Sequence, residues 1–451
     1  MREESHPTDG TFHAFRLHQV YFCGILGKIA IKMRLYMKPF AIDNSAILYL
    51  ALIRKHHTNI FRFTMTLTEE VDPDLLQTAV NRVYRRFPTI FAGFRPGFFQ
   101  YSQVPAKTAP QVLPDPGLLI NMTRAEISRC AYRVYYHDKD IIIEGFHALT
   151  DGYGMVASFS TLAAEYLHLR YGIQIPTGYP VFDLNEEAKW EETDDSYLKY
   201  ADAKPLHMPS RYSYQLPGSD PKCGPVHRET LVFPVEKLLR VSRKYGVSIT
   251  ALLSAIMASS IMELQYSRKE KKRFPVRIMV PIDLRKIFPS KTLRNFILYA
   301  LPTMEISEHG CSIQDLSRSF SRQIKAHLEK ENLGGIIAYN VKTQKLPIYR
   351  LLPSRVKCAL MKLAYTFFGE SNSSLTMTNL GNMALPEVMV PYVKSIILTM
   401  MPRVRSPYNC GMYSYNGNFY INLCRFPYHS ALEDIFTRKL NQVLSEEEQS
   451  L

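Results

Sequence analysis

The chain has 451 residues, 46% of them apolar and 21% charged. This length and balance exclude a mainly disordered chain and leave room for two compact halves. Lys and Arg outnumber Asp and Glu by 55 to 41, a formal net charge of +14; the excess suits an anionic partner, yet no RNA-binding signature, zinc-finger spacing or long basic helix points to nucleic acid.

Residues 1–35 read as a leader outside the fold, disordered or preceded by a mis-assigned start, with Met33 as the alternative first residue. The moderately apolar run 21–31 contains Lys28 and lacks a small-residue cleavage site, so it makes a poor secretory signal. From Tyr36 the text becomes structured. Residues 61–67 alternate as a strand. Asp72 and Pro73 then open a helix as N-cap and first helical residue, and Phe87-Pro88 end it. Gly97 is a turn candidate with a strand expected over 98–101. Two β-rich runs, 131–136 and 141–146, flank the turn 137–140. The segment 153–171 has an apolar stripe at helical spacing and stops at Gly172.

Residues 176–225 carry many prolines and an acidic patch over 186–195, which suggests a crossover. The expected division is an N-terminal half over 36–180, a linker over 181–225 and a C-terminal half over 226–451. The second half offers strands near 229–233, 277–280, 374–378, 395–400, 411–415 and 419–423. Asn416-Gly417 marks a hairpin. Helices are expected over 250–264 and 431–444. The class is α/β (α+β), with strands and helices in both halves. No apolar stretch approaches the length needed to span a bilayer.

The seven cysteines, Cys23, Cys130, Cys223, Cys311, Cys358, Cys410 and Cys424, lie far apart without a CxxC pair. Their spacing argues against a disulfide framework and a structural zinc site, and a reducing cytoplasm is the simplest location. His56-His57 has no partnering cluster and reads as a surface feature at a helix end. The basic run 268–273 could contact phosphates, though a solvated loop explains it as well.

The segment His147-Ala148-Leu149-Thr150-Asp151-Gly152 lies between a strand and a helix, where α/β proteins place reactive groups. A histidine there can accept a proton near neutral pH. Each residue also has an ordinary reading: a satisfied core histidine, an N-cap aspartate, a turn glycine. Residues 152–157 read GxGxxA, a dinucleotide-binding pattern, but a loop separates the first glycine from the strand and no acidic residue follows at the required distance. No GxSxG elbow or Walker loop is present.

Several further segments match in order. Phe61-Arg62-Phe63, Val71-Asp72-Pro73-Asp74-Leu75-Leu76 and Arg85-Arg86-Phe87-Pro88 precede the His147 segment. Val280-Pro281-Ile282-Asp283-Leu284-Arg285, Thr292-Leu293-Arg294-Asn295-Phe296 and Thr376-Met377-Thr378-Asn379-Leu380-Gly381 follow it. Over about residues 36–445 the chain resembles the superfamily of chloramphenicol acetyltransferases, non-ribosomal-peptide condensation domains and HxxxD acyltransferases, and looks closest to bacterial alcohol-acetyltransferase-like proteins.

The resemblance implies two halves, each a mixed sheet with flanking helices, around a central tunnel. It makes His147 the general base of an acyltransferase moving an acyl group from acyl-CoA to a small alcohol or amine. Asp151 would pair with Arg285 rather than transfer protons, Gly152 would leave room for substrate, and Thr376, Thr378 and Asn379 would line the tunnel, a threonine hydroxyl serving the oxyanion. It implies no metal and no permanently bound cofactor, acyl-CoA being a co-substrate. Phe146 replaces the first histidine of HHxxxDG, which weakens the case for an acyl-carrier-protein donor without removing it. The plant DFGWG segment is missing, with Asn409-Cys410-Gly411 in its region. A non-catalytic binding protein on the same fold is the alternative from another class.

Overall fold

The computed structural model describes residues 38–218, 225–269, 272–404, 406–426 and 431–449. The proposed leader, Cys23 and Cys223, and part of the basic run 268–273 lie outside them.

The first sheet has five strands. Ile60–Leu67 is flanked by Asp140–Phe146 and by Val393–Met400, and Tyr132–His137 and Val112–Pro114 complete it. Every residue of Ile60–Leu67 but Thr66 is buried, as expected of a central strand covered on both faces. Val393–Met400 comes from the C-terminal part of the sequence, yet it pairs antiparallel with Ile60–Leu67, Leu398 opposite Phe63. The far half of the chain thus supplies a strand to the near sheet.

The second sheet runs Ile297–Ala300, Val276–Asp283, Leu375–Asn382, Tyr408–Tyr415, Asn418–Arg425 and His227–Pro234. Leu375–Asn382 is parallel to both its neighbours. The last hairpin turns at Asn416 and Gly417, both at positive φ (45° and 76°), the geometry that favours Asn-Gly in tight hairpins.

Asp72 caps Pro73–Val83 through the N–H groups of Asp74 and Leu75, at 2.9 and 3.0 Å. The helix after the His147 segment spans Gly152–Tyr171. Ile249–Ser267 is long and apolar enough to cross a bilayer, contrary to the expectation that no segment would be. Its length is that of a central core helix: Leu252, Ile256 and Met257 are fully buried in the second half.

Two local expectations change. The strand expected over 98–101 starts at Tyr101, because Gly97 donates its N–H to the Gln100 carbonyl and 97–100 form the turn itself. His57 is buried, not a surface feature; its Nε2 lies 2.8 Å from the Pro402 carbonyl. Within the stretch expected as a crossover, Glu192 accepts a two-point contact from Arg86 at 2.6 and 2.9 Å, and Tyr197 donates to the Ile297 carbonyl at 2.7 Å. Helices Ile313–His327, Lys330–Lys345 and Ser354–Ala364 occupy a stretch for which the sequence suggested no element.

Candidate active site

His147 follows directly from Asp140–Phe146, and its N–H donates to the Asn59 carbonyl at 2.8 Å. The half-buried imidazole stacks on Tyr49, centroids 4.4 Å apart and planes 14° apart, with Phe61 at 4.8 Å. Nδ1 is fully buried without a well-formed hydrogen bond. Burial pushes the imidazole below its ordinary 6.5; the Asp151 charge and the nearby Asn295 amide pull it partly back. The ring is therefore neutral at pH 7.

Asp151 faces away from that ring. One carboxylate oxygen accepts from the N–H groups of Tyr153 (3.1 Å) and Gly154 (3.5 Å), capping the helix. The other accepts from Arg285 Nη1 and the Phe296 N–H, both at 2.9 Å. Arg285 also donates to Asp283 and to the carbonyls of Thr292 and Arg294, and its guanidinium lies 4.5 Å above the Tyr153 ring. With donors fixed on all sides, Arg285 holds a geometry and does not titrate.

Segment 292–296 braces the loop along its length. Thr150 donates to the Leu293 carbonyl at 2.5 Å, and Asn295 Nδ2 donates to the carbonyls of His147 (3.0 Å) and Ala148 (3.3 Å). The second half therefore grips the backbone that carries the histidine.

The two glycines of GxGxxA have packing explanations. A Cβ at Gly154 would lie 2.2 Å from both the Leu293 carbonyl oxygen and Thr150 Oγ1. A Cβ at Gly152 would meet only the tip of Leu380, at 2.5 Å. Space beside Gly152 is thus taken by leucine rather than left open. Gly154→Ala is expected to cost about 1–3 kcal/mol through overpacking against backbone, and Gly152→Ala clearly less, because a side-chain tip can turn away. Urea unfolding of the two variants, compared side by side, checks this order.

No family model and no curated protein sequence matches the chain. Solved structures do. Polyketide synthase associated protein 5 from Mycobacterium tuberculosis aligns at TM-score 0.58 and 13% identity, over 91% of this chain and 100% of that one. Trichothecene 15-O-acetyltransferase from Fusarium sporotrichioides aligns at 0.57 and 10%, over 90% and 94%. The epimerization domain from the third module of tyrocidine synthetase B aligns at 0.55 and 12%, over 91% and 98%. At these identities the likeness is one of fold, and the chain shares its fold with these three proteins over nine tenths of its length.

Within this fold the residues expected to line a tunnel divide. Leu375 and Met377 join the core of the second half, while Leu380 reaches Gly152. Strand alternation puts Thr376 and Thr378 on the face opposite Leu375 and Met377; Leu380 lies in the irregularity between Asn379 and Asn382, where that alternation is interrupted. The Thr376 hydroxyl lies 3.8 Å from the Met279 sulfur. Asn379 instead bonds Thr250 at 2.9 Å and accepts from the Gly381 N–H. Its amide is engaged at the start of Ile249–Ser267.

Tyr49, Phe61 and Asn295 touch the histidine or its backbone, yet none stood out as a site residue in the sequence. Tyr49 lies on Asn44–Ala51, a helix capped by Asp43 that the sequence reading left unassigned. Asn295 was visible only as part of the matching segment 292–296. Two surface cavities, of about 340 and 280 Å³, are lined around Tyr212 and Pro407 and around Arg86 and Tyr179. Neither is lined by His147. Among the described residues no group of three or more His, Cys, Asp or Glu could hold a metal ion.

Proposed function

We propose that the chain is an acyltransferase that moves an acyl group from a thioester, acyl-CoA in the first instance, to an alcohol or amine, with His147 as general base. The observation that carries the reading is an imidazole with one buried nitrogen on a loop whose His147 and Ala148 carbonyls, Thr150 hydroxyl and Asp151 carboxylate are all bonded by residues 293–296.

In the proposed step, the acceptor O–H or N–H gives its proton to His147 Nε2 as its heteroatom attacks the thioester carbonyl. The tetrahedral adduct collapses, the C–S bond breaks, and the imidazolium returns the proton to the departing thiolate. Asp151 and Arg285 hold the loop without exchanging protons. The hydroxyl of Thr376 or Thr378 is the proposed oxyanion donor, a contact of a kind worth about 3 kcal/mol. A starter condensation domain of rhizomide synthetase, solved in complex with C8-CoA and Leu-SNAC, shares the fold at TM-score 0.53 and 13% identity, which makes a CoA thioester a reasonable first donor.

The test is thiol release from acetyl-CoA and longer acyl-CoAs with a panel of alcohols and amines, repeated with an acylated carrier protein. Acceptor-dependent release from CoA supports the reading; release from the carrier alone transfers it to a carrier-dependent enzyme. Binding without turnover of either donor leaves a non-catalytic protein.

A pH profile gives a second test. The base must be neutral to act, and burial holds His147 below 6.5. Therefore kcat/KM should be flat through neutrality and fall about tenfold per pH unit only below an apparent pKa under 6.5. An acid limb centred above 6.5 would count against His147 as the base.

A further inference from the structure

Between Glu331 and Glu370 the chain contains no acidic residue but carries Lys342, Lys345, Arg350, Arg355, Lys357 and Lys362. This stretch forms Lys330–Lys345, Pro347–Leu351 and Ser354–Ala364. The two buried residues of the last helix are polar: Ser354 donates to the Gly97 carbonyl at 2.7 Å, and the Lys357 ammonium donates to the carbonyls of Phe99 (2.8 Å) and Arg350 (3.1 Å). Its outward face, at i, i+4 and i+7, is Val356, Leu360 and Leu363, all exposed.

Those same bonds tie the helix to the turn bearing Phe98 and to the short helix bearing Ile348 and Leu351. These three side chains are 73%, 74% and 71% exposed. Six exposed large apolar side chains thus sit on three segments joined by these bonds, where an ordinary surface scatters its hydrophobics singly. Lys342, Lys345, Arg350 and Arg355 are exposed on the same segments.

We propose that this surface docks the protein on an anionic phospholipid membrane. Protruding aliphatic and aromatic side chains fringed by cations are the composition of an interfacial element, with apolar groups entering the acyl boundary and basic groups meeting the headgroups. A second copy of the chain fits less well, since a two-fold interface would set the same cations against one another. A partner seated in a groove would need concave walls, and side chains this exposed do not form them. Ser354–Ala364 packs on Asn44–Ala51, whose Tyr49 stacks on His147, so one helix separates the docking face from the imidazole. The docking surface stands whether or not His147 is catalytic.

The experiment is flotation of the full chain with phosphatidylcholine vesicles, with and without one third phosphatidylglycerol. Two variants accompany it: Ile348→Ser/Leu351→Ser/Leu363→Ser and Lys345→Gln/Arg350→Gln/Arg355→Gln. The protein should bind anionic vesicles at least tenfold more tightly than neutral ones, and high salt should erase the difference. The serine variant should lose at least tenfold on anionic vesicles, and the glutamine variant should lose the anionic preference. Thermal unfolding of both variants checks that the fold persists. If the serine variant unfolds, the glutamine variant, which alters only exposed charged ends, decides the question through the anionic preference. Failure of the unmodified protein to float, or flotation of both folded variants at its level, overturns the proposal. So does binding of an acidic carrier protein through this face in the absence of vesicle binding, which would make the partner a protein.

Discussion

His147→Ala should lower acceptor-dependent thiol release by about 10²–10⁴-fold, the usual contribution of a positioned general base. The loop should survive the change, because its anchors lie elsewhere. The His147 N–H bond to Asn59, the Asn295 bond to the His147 carbonyl and the Asp151–Phe296 bond use backbone groups that alanine also has or leaves untouched. What disappears is the ring between Tyr49 and Phe61 and, with it, the Nε2 proposed to take the proton. Circular dichroism and the thiol assay on one preparation separate the two effects. A folded variant retaining activity within a few-fold of the parent would remove His147 from the chemistry.

Arg285→Ala should be the more destructive change to the molecule as a whole. The two side chains of the Asp151–Arg285 pair are 3% and 5% exposed, and removing the guanidinium leaves the carboxylate without its adjacent cation. Breaking a buried pair from one side costs about 3–5 kcal/mol. The carbonyls of Thr292 and Arg294 also lose their donor, and these belong to the segment that braces the loop. Activity should fall as well, since a displacement of about 1 Å in a catalytic group can cost 10²-fold. Urea unfolding measures the first effect. A cycle with Asp151→Asn/Arg285→Ala measures the coupling, because neutralising Asp151 removes the stranded charge and should recover part of the loss. Equal stability of Arg285→Ala and the parent would show that the pair does not hold the halves together.

Much of the local structure could be read from the chain. Asp72-Pro73, Gly172 and Asn416-Gly417 each announce an element boundary through their own backbone preferences, and the structure uses them so. The turn at 97–100 was displaced because one hydrogen bond, from Gly97 to Gln100, decided where pairing begins. Ser354–Ala364 is hard to read for a physical reason: it buries Ser354 and Lys357 and exposes Val356, Leu360 and Leu363, so hydrophobic patterning gives the wrong sign there.

For the site, the sequence by itself determined that His147 follows a strand, that Asp151 begins a helix, and that the segments 280–285 and 292–296 belong to the same ordered pattern. Those facts depend on neighbours within a few residues. Only the tertiary structure decided what surrounds the histidine. Tyr49 and Asn295 reach it from opposite directions along the chain, and Arg285 meets Asp151 across the two halves. The structure also separated Asn379, bonded to Thr250, from Thr376 and Thr378 on the other face of their strand, and carried Val393–Met400 into the first sheet. Local propensity is a property of consecutive residues. A site is a property of which buried surfaces and unpaired polar groups find one another when the two halves close, and no short-range pattern encodes that.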